Sequence, residues 1–181
     1  MSFIDLANNR YSVRNYTDTP VPQETIERCI EAARLAPSAC NAQPYTFVII
    51  TNPDLKDKVA TAAFKGAVNI NRFACRAPVL VLIISDRQKL SAKFGSIVKR
   101  KNFSQMDIGI VAEHFCLQAT EEGLGTCMLG WFNEPKVKHM LSIPKRKRVE
   151  LMISVGFSAG KRIPPKKRKT TDEMVSYNEY S

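Results

Sequence analysis

Between Asp107 and Gly123 apolar residues cover most of the circumference of one helical repeat: Ile108, Ile110, Val111, Ala112, Phe115, Cys116, Leu117 and Ala119. A helix that is apolar nearly all round has almost no face to give to water, so burial on nearly every side is expected. Asp107 is placed as its N-cap and Gly123 as its C-terminal cap. Three apolar runs read as strands: Thr46–Ile50, Val79–Ile84 and Val149–Gly156. The first two lack the polar alternation of a half-solvated sheet, and Thr46–Ile50 reads as buried on both faces. Strands separated by helices point to an α/β layered domain with a covered sheet. The order is not a clean βαβ alternation, since a long helical stretch precedes the first strand. With 181 residues, 44% of them hydrophobic, the chain can bury a sizeable core, and 1–181 is expected to be a single domain.

The connecting segments carry their own signals. Ser2 and Asp5 suit a capping box for a short helix to Asn9. Thr17–Pro22 is a turn-rich connector, with Pro22 in the first turn of a helix over Gln23–Ala36. Its inward stripe is Ile26, Cys29, Ile30 and Ala33, and Pro37 ends it. Asn52-Pro53 caps a helix to about Ala63. Gly125–Phe132 crosses the core and turns, and Asn133-Glu134-Pro135 opens a short helix to Leu141. Thr170 and Glu173 form a second capping-box pair in the tail. Ser85–Asn102, polar and basic, reads as a surface excursion or lid.

A formal charge of +10 and a pI near 9.5 admit either a nucleic-acid binder or an enzyme for anionic ligands. The runs Lys99–Lys101, Lys145–Arg148 and Lys166–Lys169 carry much of the excess, and none interleaves with aromatics. No zinc-finger or RNA-recognition signature is present, which makes nucleic-acid binding the minority reading. The five cysteines are odd in number, scattered and without a C-x-x-C pair. That argues against a metal or iron–sulfur site and for buried thiols in a reduced, cytoplasmic chain. Met1–Asn9 is no signal peptide, and no apolar run reaches the roughly 20 residues of a membrane span. Neither a dinucleotide fingerprint nor a P-loop occurs.

One short stretch concentrates anion-binding chemistry. Arg10-Tyr11-Ser12-Val13-Arg14, if extended, sets Arg10, Ser12 and Arg14 on one side: two planar cationic forks and a hydroxyl, suited to phosphate. Such a cluster near a terminus is more often a solvated face. Its companions are Lys166 and Arg168 near the far end, the small-residue amide loop Ser38–Gln43, and Leu129-Gly130, whose backbone N–H groups leave room for a ring. Together they fit a flat, polyfunctional ring with a phosphate tail.

The elements Arg10-x-Ser12-x-Arg14, Ala36-Pro37-Ser38-x-x-Asn41-x-Gln43-Pro44-Tyr45, Gly123–Gly130 and the basic tail, in this order, resemble the FMN-dependent nitroreductase family from about Arg10 to Val175. The resemblance implies an α+β fold, a central mostly antiparallel sheet flanked by helices, in an intertwined homodimer with two FMN sites at its interface. It implies two-electron transfer from NADH or NADPH to nitroaromatics, quinones or similar flat small-molecule acceptors, with donor and acceptor using one ring face in turn. Carried over by position, Arg10, Lys166 and Arg168 hold the FMN phosphate. Ser12 and Arg14 meet the ribityl chain and the N1/O2 edge, and Tyr11 between them counts among the cofactor-binding residues. Pro37, Ser38 and Asn41 reach the ring from the partner, Asn71 lies at the ring edge, and a backbone N–H at Leu129 or Gly130 faces N5. No catalytic residue is expected, because in such enzymes the flavin carries the difficult step. Tyr45 stands where the family often has Trp, and Ala39 where a second Ser is frequent.

Several polar residues have plain structural readings. His114 fits a satisfied core or interface histidine and His139 a solvent-facing one. Cys40 is either a reactive thiol or a small packing residue. Trp131 and Phe132 either shield a flavin or fill the core, and Lys145–Arg148 reads as a solvated turn.

Overall fold

Successive side chains of a strand point to opposite faces, so a strand that is apolar at every position needs cover on both. The computed structural model, which describes residues 1–65, 69–86, 103–160 and 162–180, supplies that cover. In chain order the elements are α1 (Phe3–Asn9), α2 (Gln23–Arg34), β1 (Tyr45–Ile50), α3 (Pro53–Phe64), β2 (Val79–Asp86), α4 (Phe103–Glu121), β3 (Gly125–Leu129), α5 (Glu134–Met140) and β4 (Lys147–Gly156). Short 3-10 segments lie at Ala39–Asn41 and Asn69–Arg76. The strands form one sheet in the order β1-β2-β4-β3, with every pairing antiparallel.

Val79, Val81 and Ile83 of β2 and Ile153 and Val155 of β4 pack against α2 (Ile26, Cys29, Ala33) and α4 (Val111, Phe115, Ala119). Leu80, Leu82, Ile84, Val149 and Met152 pack on the other side against Val59, Ala63 and Phe64 of α3 and Val137 of α5. The fold is α+β, with a central antiparallel sheet between helical layers. The α/β reading of the strand–helix alternation is corrected in this respect. Cover on both faces makes a strand apolar throughout, whatever the direction of its neighbours.

Tertiary context moves several boundaries. β1 is an edge strand in which only Ile50 is buried and Thr46 is exposed, so burial on both faces is not observed. α2 ends at Arg34, with Leu35 as C-cap, before Pro37 is reached. α4 starts at Phe103, a turn ahead of Asp107, so Asp107 is not its N-cap. Its burial is also incomplete, because Met106 and Ile110 form an exposed strip. β3 is a separate strand where a core crossing is expected. Ser85 and Asp86 belong to β2, where buried Ser85 donates to Glu150 Oε1 at 2.5 Å. The rest of the expected excursion, 87–102, lies outside the described residues.

Local signals hold where the local chain decides. Ser2 N–H donates to Asp5 Oδ2 and Asp5 N–H to Ser2 Oγ, both at 3.1 Å, closing the capping box of α1. Asn52 Oδ1 accepts from Leu55 N–H at 2.9 Å, and Asn133 Oδ1 from Lys136 N–H at 3.2 Å. In the tail, Thr170 N–H donates to Glu173 Oε2 at 2.7 Å, but only a turn follows. All five cysteines are free. Cys29, Cys116 and Cys127 are buried, and burial pushes the Cys29 and Cys116 thiols up to about 12. No helix among the described residues is long and apolar enough to cross a membrane.

At the β3 edge the sheet is extended by the segment after α1. Ser12 forms a parallel bridge with Thr126, and Val13 N–H donates to Thr126 O at 2.9 Å. The approach is close enough to demand glycine: a Cβ on Gly125 would lie 2.4 Å from Val13 Cγ2 and 2.8 Å from Val13 Cβ. Gly125→Ala is therefore expected to destabilise the fold by about 1–3 kcal/mol through overpacking. Thermal denaturation checks this, and an unchanged melting temperature would contradict it.

Candidate functional site

The segment leaving α1 is pinned along its inner side. Arg10, the C-cap, donates its N–H to Leu6 O at 3.0 Å. Val13 is buried, and the Tyr16 hydroxyl donates to Val13 O at 2.8 Å while lying 2.8 Å from Ser154 Oγ. Burial raises the Tyr16 phenol well above its ordinary range, so it remains a donor. With the backbone fixed, the alternate side chains are free for ligand or partner. Arg10 Nε lies 3.3 Å from Glu113 Oε1 on α4. Tyr11 Oη pairs with Ser158 Oγ at 3.0 Å. The exposed Arg14 donates from Nη1 to Ser12 O at 3.4 Å, and its guanidinium stands 5.9 Å from the centroid of the Phe73 ring, in cation–π range.

The far end of the chain meets this segment directly. Lys166 Nζ donates to Arg10 O at 2.5 Å, across 156 residues of sequence. The Lys166 pKa is held below the ordinary lysine value, first by burial and then by the Arg10 and Arg168 charges; Glu113 pulls it the other way. Arg168 Nη1 donates to Lys167 O at 2.8 Å. Three cations and one carboxylate thus share a small region, leaving a positive surplus that an oxyanion would relieve.

A second set of predicted residues borders the same segment. Asn71 Nδ2 donates to Trp131 O at 2.9 Å, so its amide is committed to the chain leaving β3. Leu129 is buried at the end of β3, while Gly130 is exposed, and a Cβ there would meet nothing within 4 Å. The Trp131 ring is 67% exposed and therefore not core filling, whereas Phe132 packs against the α3 side of the sheet. Asn71 and Phe73 both belong to Asn69–Arg76, which links the Arg14 contact to Trp131. That segment is held by buried Lys56, whose Nζ donates to Cys75 O at 2.9 Å and pairs with Asp57.

The loop after α2 is built differently. Cys40, Asn41 and Gln43 have φ of 50°, 53° and 44°, the left-handed region that costs a non-glycine residue of order 1 kcal/mol or more. Ser38 Oγ accepts from Gln43 N–H at 3.0 Å, and Asn41 Oδ1 accepts from Gln43 Nε2 at 2.9 Å. Pro37, Cys40 and Asn41 are exposed. The tether is Asp107, 3% exposed, whose Oδ1 accepts from Ala39 N–H at 2.9 Å. Among the described residues no hydrogen bond or ion pair joins this loop to the Arg10 cluster. Their common support is α4, where Asp107 and Glu113 stand roughly 9 Å apart along the axis.

Arg10, Tyr11, Ser12, Arg14, Lys166 and Arg168 are thus gathered at one place. Asn71, Leu129 and Gly130 border it, and Pro37, Ser38 and Asn41 stand apart. The sequence reading misses Glu113, Phe73 and Lys56. Glu113 carried a usable signal, as a carboxylate beside the apolar stretch Ile110–Ala112 of α4. His114 is half-buried, with Nδ1 at 2.9 Å from Ile110 O, and His139 is exposed.

Comparison with known proteins identifies the family and fold. The family described as "Nitroreductase family" matches residues 7–72 and 66–157. Iodotyrosine deiodinase 1 of Rattus norvegicus is 28% identical over 196 residues, covering 96% of this chain and 68% of that protein. A Streptococcus pyogenes protein provisionally named an NAD(P)H nitroreductase is 28% identical over 97% of this chain and 98% of its own length. Among solved structures, a nitroreductase family protein from Clostridium difficile 630 superposes with a TM-score of 0.80 at 28% identity, covering 99% of this chain and 100% of that one. The chain is an oxidoreductase belonging to the nitroreductase family.

Proposed function

We propose that this chain, folded as a single domain, works as a homodimeric FMN enzyme that moves two electrons from NADH or NADPH to nitroaromatics, quinones or similar flat electrophiles. The observation that carries the reading is the surplus of positive charge where Arg10, Lys166 and Arg168 meet. A phosphate needs such a cluster, and open backbone at Gly130 gives a ring room nearby. Arg10, Lys166 and Arg168 would hold the FMN phosphate. Tyr11 would brace the segment through Ser158, while Ser12 and Arg14 meet the ribityl chain and the N1/O2 edge. Arg14, kept in place by Phe73, favours negative charge at that edge. Asn71 keeps its side-chain oxygen for the ring edge, and the N–H of Leu129 or Gly130 would donate toward N5. Bound FMN supplies the hydride chemistry, and the protein supplies position and field.

Pro37, Ser38 and Asn41 would act from the partner subunit. Their separation from the Arg10 cluster within one chain is consistent with that. So is the apolar surface left open: Phe3 and Ile4 on α1, Met106 and Ile110 on α4, and Met174, Val175, Tyr177 and Tyr180 in the tail. A second copy would cover apolar surface of this kind. The deiodinase relatives favour a second acceptor class, halogenated phenols, at the same ring face.

The test is spectroscopic. The purified protein should be yellow, bleach anaerobically with NADH or NADPH, and recover colour with a nitroaromatic, a quinone or an iodophenol. Parallel double-reciprocal plots are expected for donor and acceptor taking turns. A colourless protein that refuses added FMN in titration would end the reading.

Two finer outcomes follow from the cluster. Arg10→Ala should fold normally and weaken FMN about 10–100-fold while leaving riboflavin, which lacks the phosphate, unaffected. Fluorescence titration of both flavins checks this. The second outcome concerns pH. Phosphate favours the charged form of Lys166, so FMN affinity is highest below its pKa and falls as pH rises through it. Because that pKa is lowered, the fall should begin below the ordinary lysine range. In Lys166→Met the fall should vanish, with riboflavin correcting for titration of the ring.

A further inference from the structure

Glu113 is an anion in a cluster whose proposed ligand is an anion, and nothing in the flavin reading assigns it a task. We propose that Glu113 is a positioning residue for the phosphate, turning Arg10 so that its terminal fork faces the ligand. This inference rests on the reading of the Arg10 cluster as a phosphate site.

The guanidinium is planar, with five N–H groups in fixed directions. An ion pair at Nε, 3.3 Å from Glu113 Oε1, holds that edge of the group towards α4 and biases the direction of the Nη fork. The main chain of Arg10 is fixed independently. Its N–H donates to Leu6 O at 3.0 Å and its carbonyl accepts from Lys166 Nζ at 2.5 Å. Glu113 therefore controls the remaining freedom, the rotation of the side chain.

Exposure is divided to match. The Arg10 side chain is 18% exposed and the Glu113 side chain 45%, so the cation is held while the carboxylate keeps part of its hydration. A half-exposed pair of this kind adds little to stability, so orientation is the larger effect of the contact. Glu113 also offsets repulsion among Arg10, Lys166 and Arg168 before any ligand arrives. Against this, a carboxylate beside a bound phosphate repels it. The two effects have opposite signs, and the amide isostere separates them: Gln keeps an oxygen for Arg10 Nε and removes the charge.

FMN and riboflavin affinities are measured by fluorescence titration for the wild type, Glu113→Ala, Glu113→Gln and Arg10→Ala, together with the melting temperature of each flavin-free protein. Glu113→Ala should weaken FMN about tenfold, a change of about 1.4 kcal/mol. Riboflavin affinity and melting temperature should not move. Glu113→Gln should hold FMN as tightly as the wild type or tighter. The inference is overturned if both Glu113 variants tighten FMN equally, if neither changes it, or if Glu113→Ala lowers riboflavin affinity and melting temperature along with FMN. If Arg10→Ala leaves FMN unchanged, the phosphate reading itself fails. If Arg10→Ala weakens FMN and Glu113→Ala does not, only the role of Glu113 is lost.

Discussion

Helix α4 is the constraint on which the other parts depend. Its apolar surface fills the space between the sheet and α2, and that packing fixes its axis and rotation. Two carboxylates then project from a rigid rod at set positions. Asp107 takes the Ala39 amide and Glu113 takes the Arg10 guanidinium. Segments far apart in sequence acquire a common reference because both are referred to one buried element. A loop scaffold would not hold such distances, since loops carry the low-stability end of a structure.

The site shows a division of labour between backbone and side chains. Val13, Gly125 and Thr126 lock the main chain of the Arg10–Arg14 segment to the sheet edge, and Tyr16 locks it from beneath. Tyr11 adds a side-chain brace through Ser158, while the exposed Arg14 remains open to a ligand. The Cys40–Gln43 loop solves the opposite problem. Its left-handed residues are costly, and a buried carboxylate holds the first amide of the turn. Strain of this kind persists where the surroundings over-determine it.

Much of this was legible in the letters because it is decided locally. Capping pairs such as Ser2 with Asp5 are read directly, since the partners lie within one turn. The apolar strands are equally plain. The edge position of β1 was not legible, because a strand's neighbours are chosen by the whole chain. Asp107 misleads for a chemical reason: a carboxylate that caps a helix and one that tethers a distant amide are the same acceptor, and only the start of α4 at Phe103 tells them apart. The meeting of Arg10 with Lys166 was suggested by charge alone and by the resemblance to a family. No spacing rule joins residues 156 positions apart.

That meeting has a consequence for how the protein unfolds. The Lys166 ammonium binds the carbonyl of Arg10, so the charge cluster draws on two segments 156 residues apart. Peeling the Lys166 segment away can leave the sheet and its cover intact, yet it disperses the cluster. Any anion bound there would tie the two segments together and report on their contact.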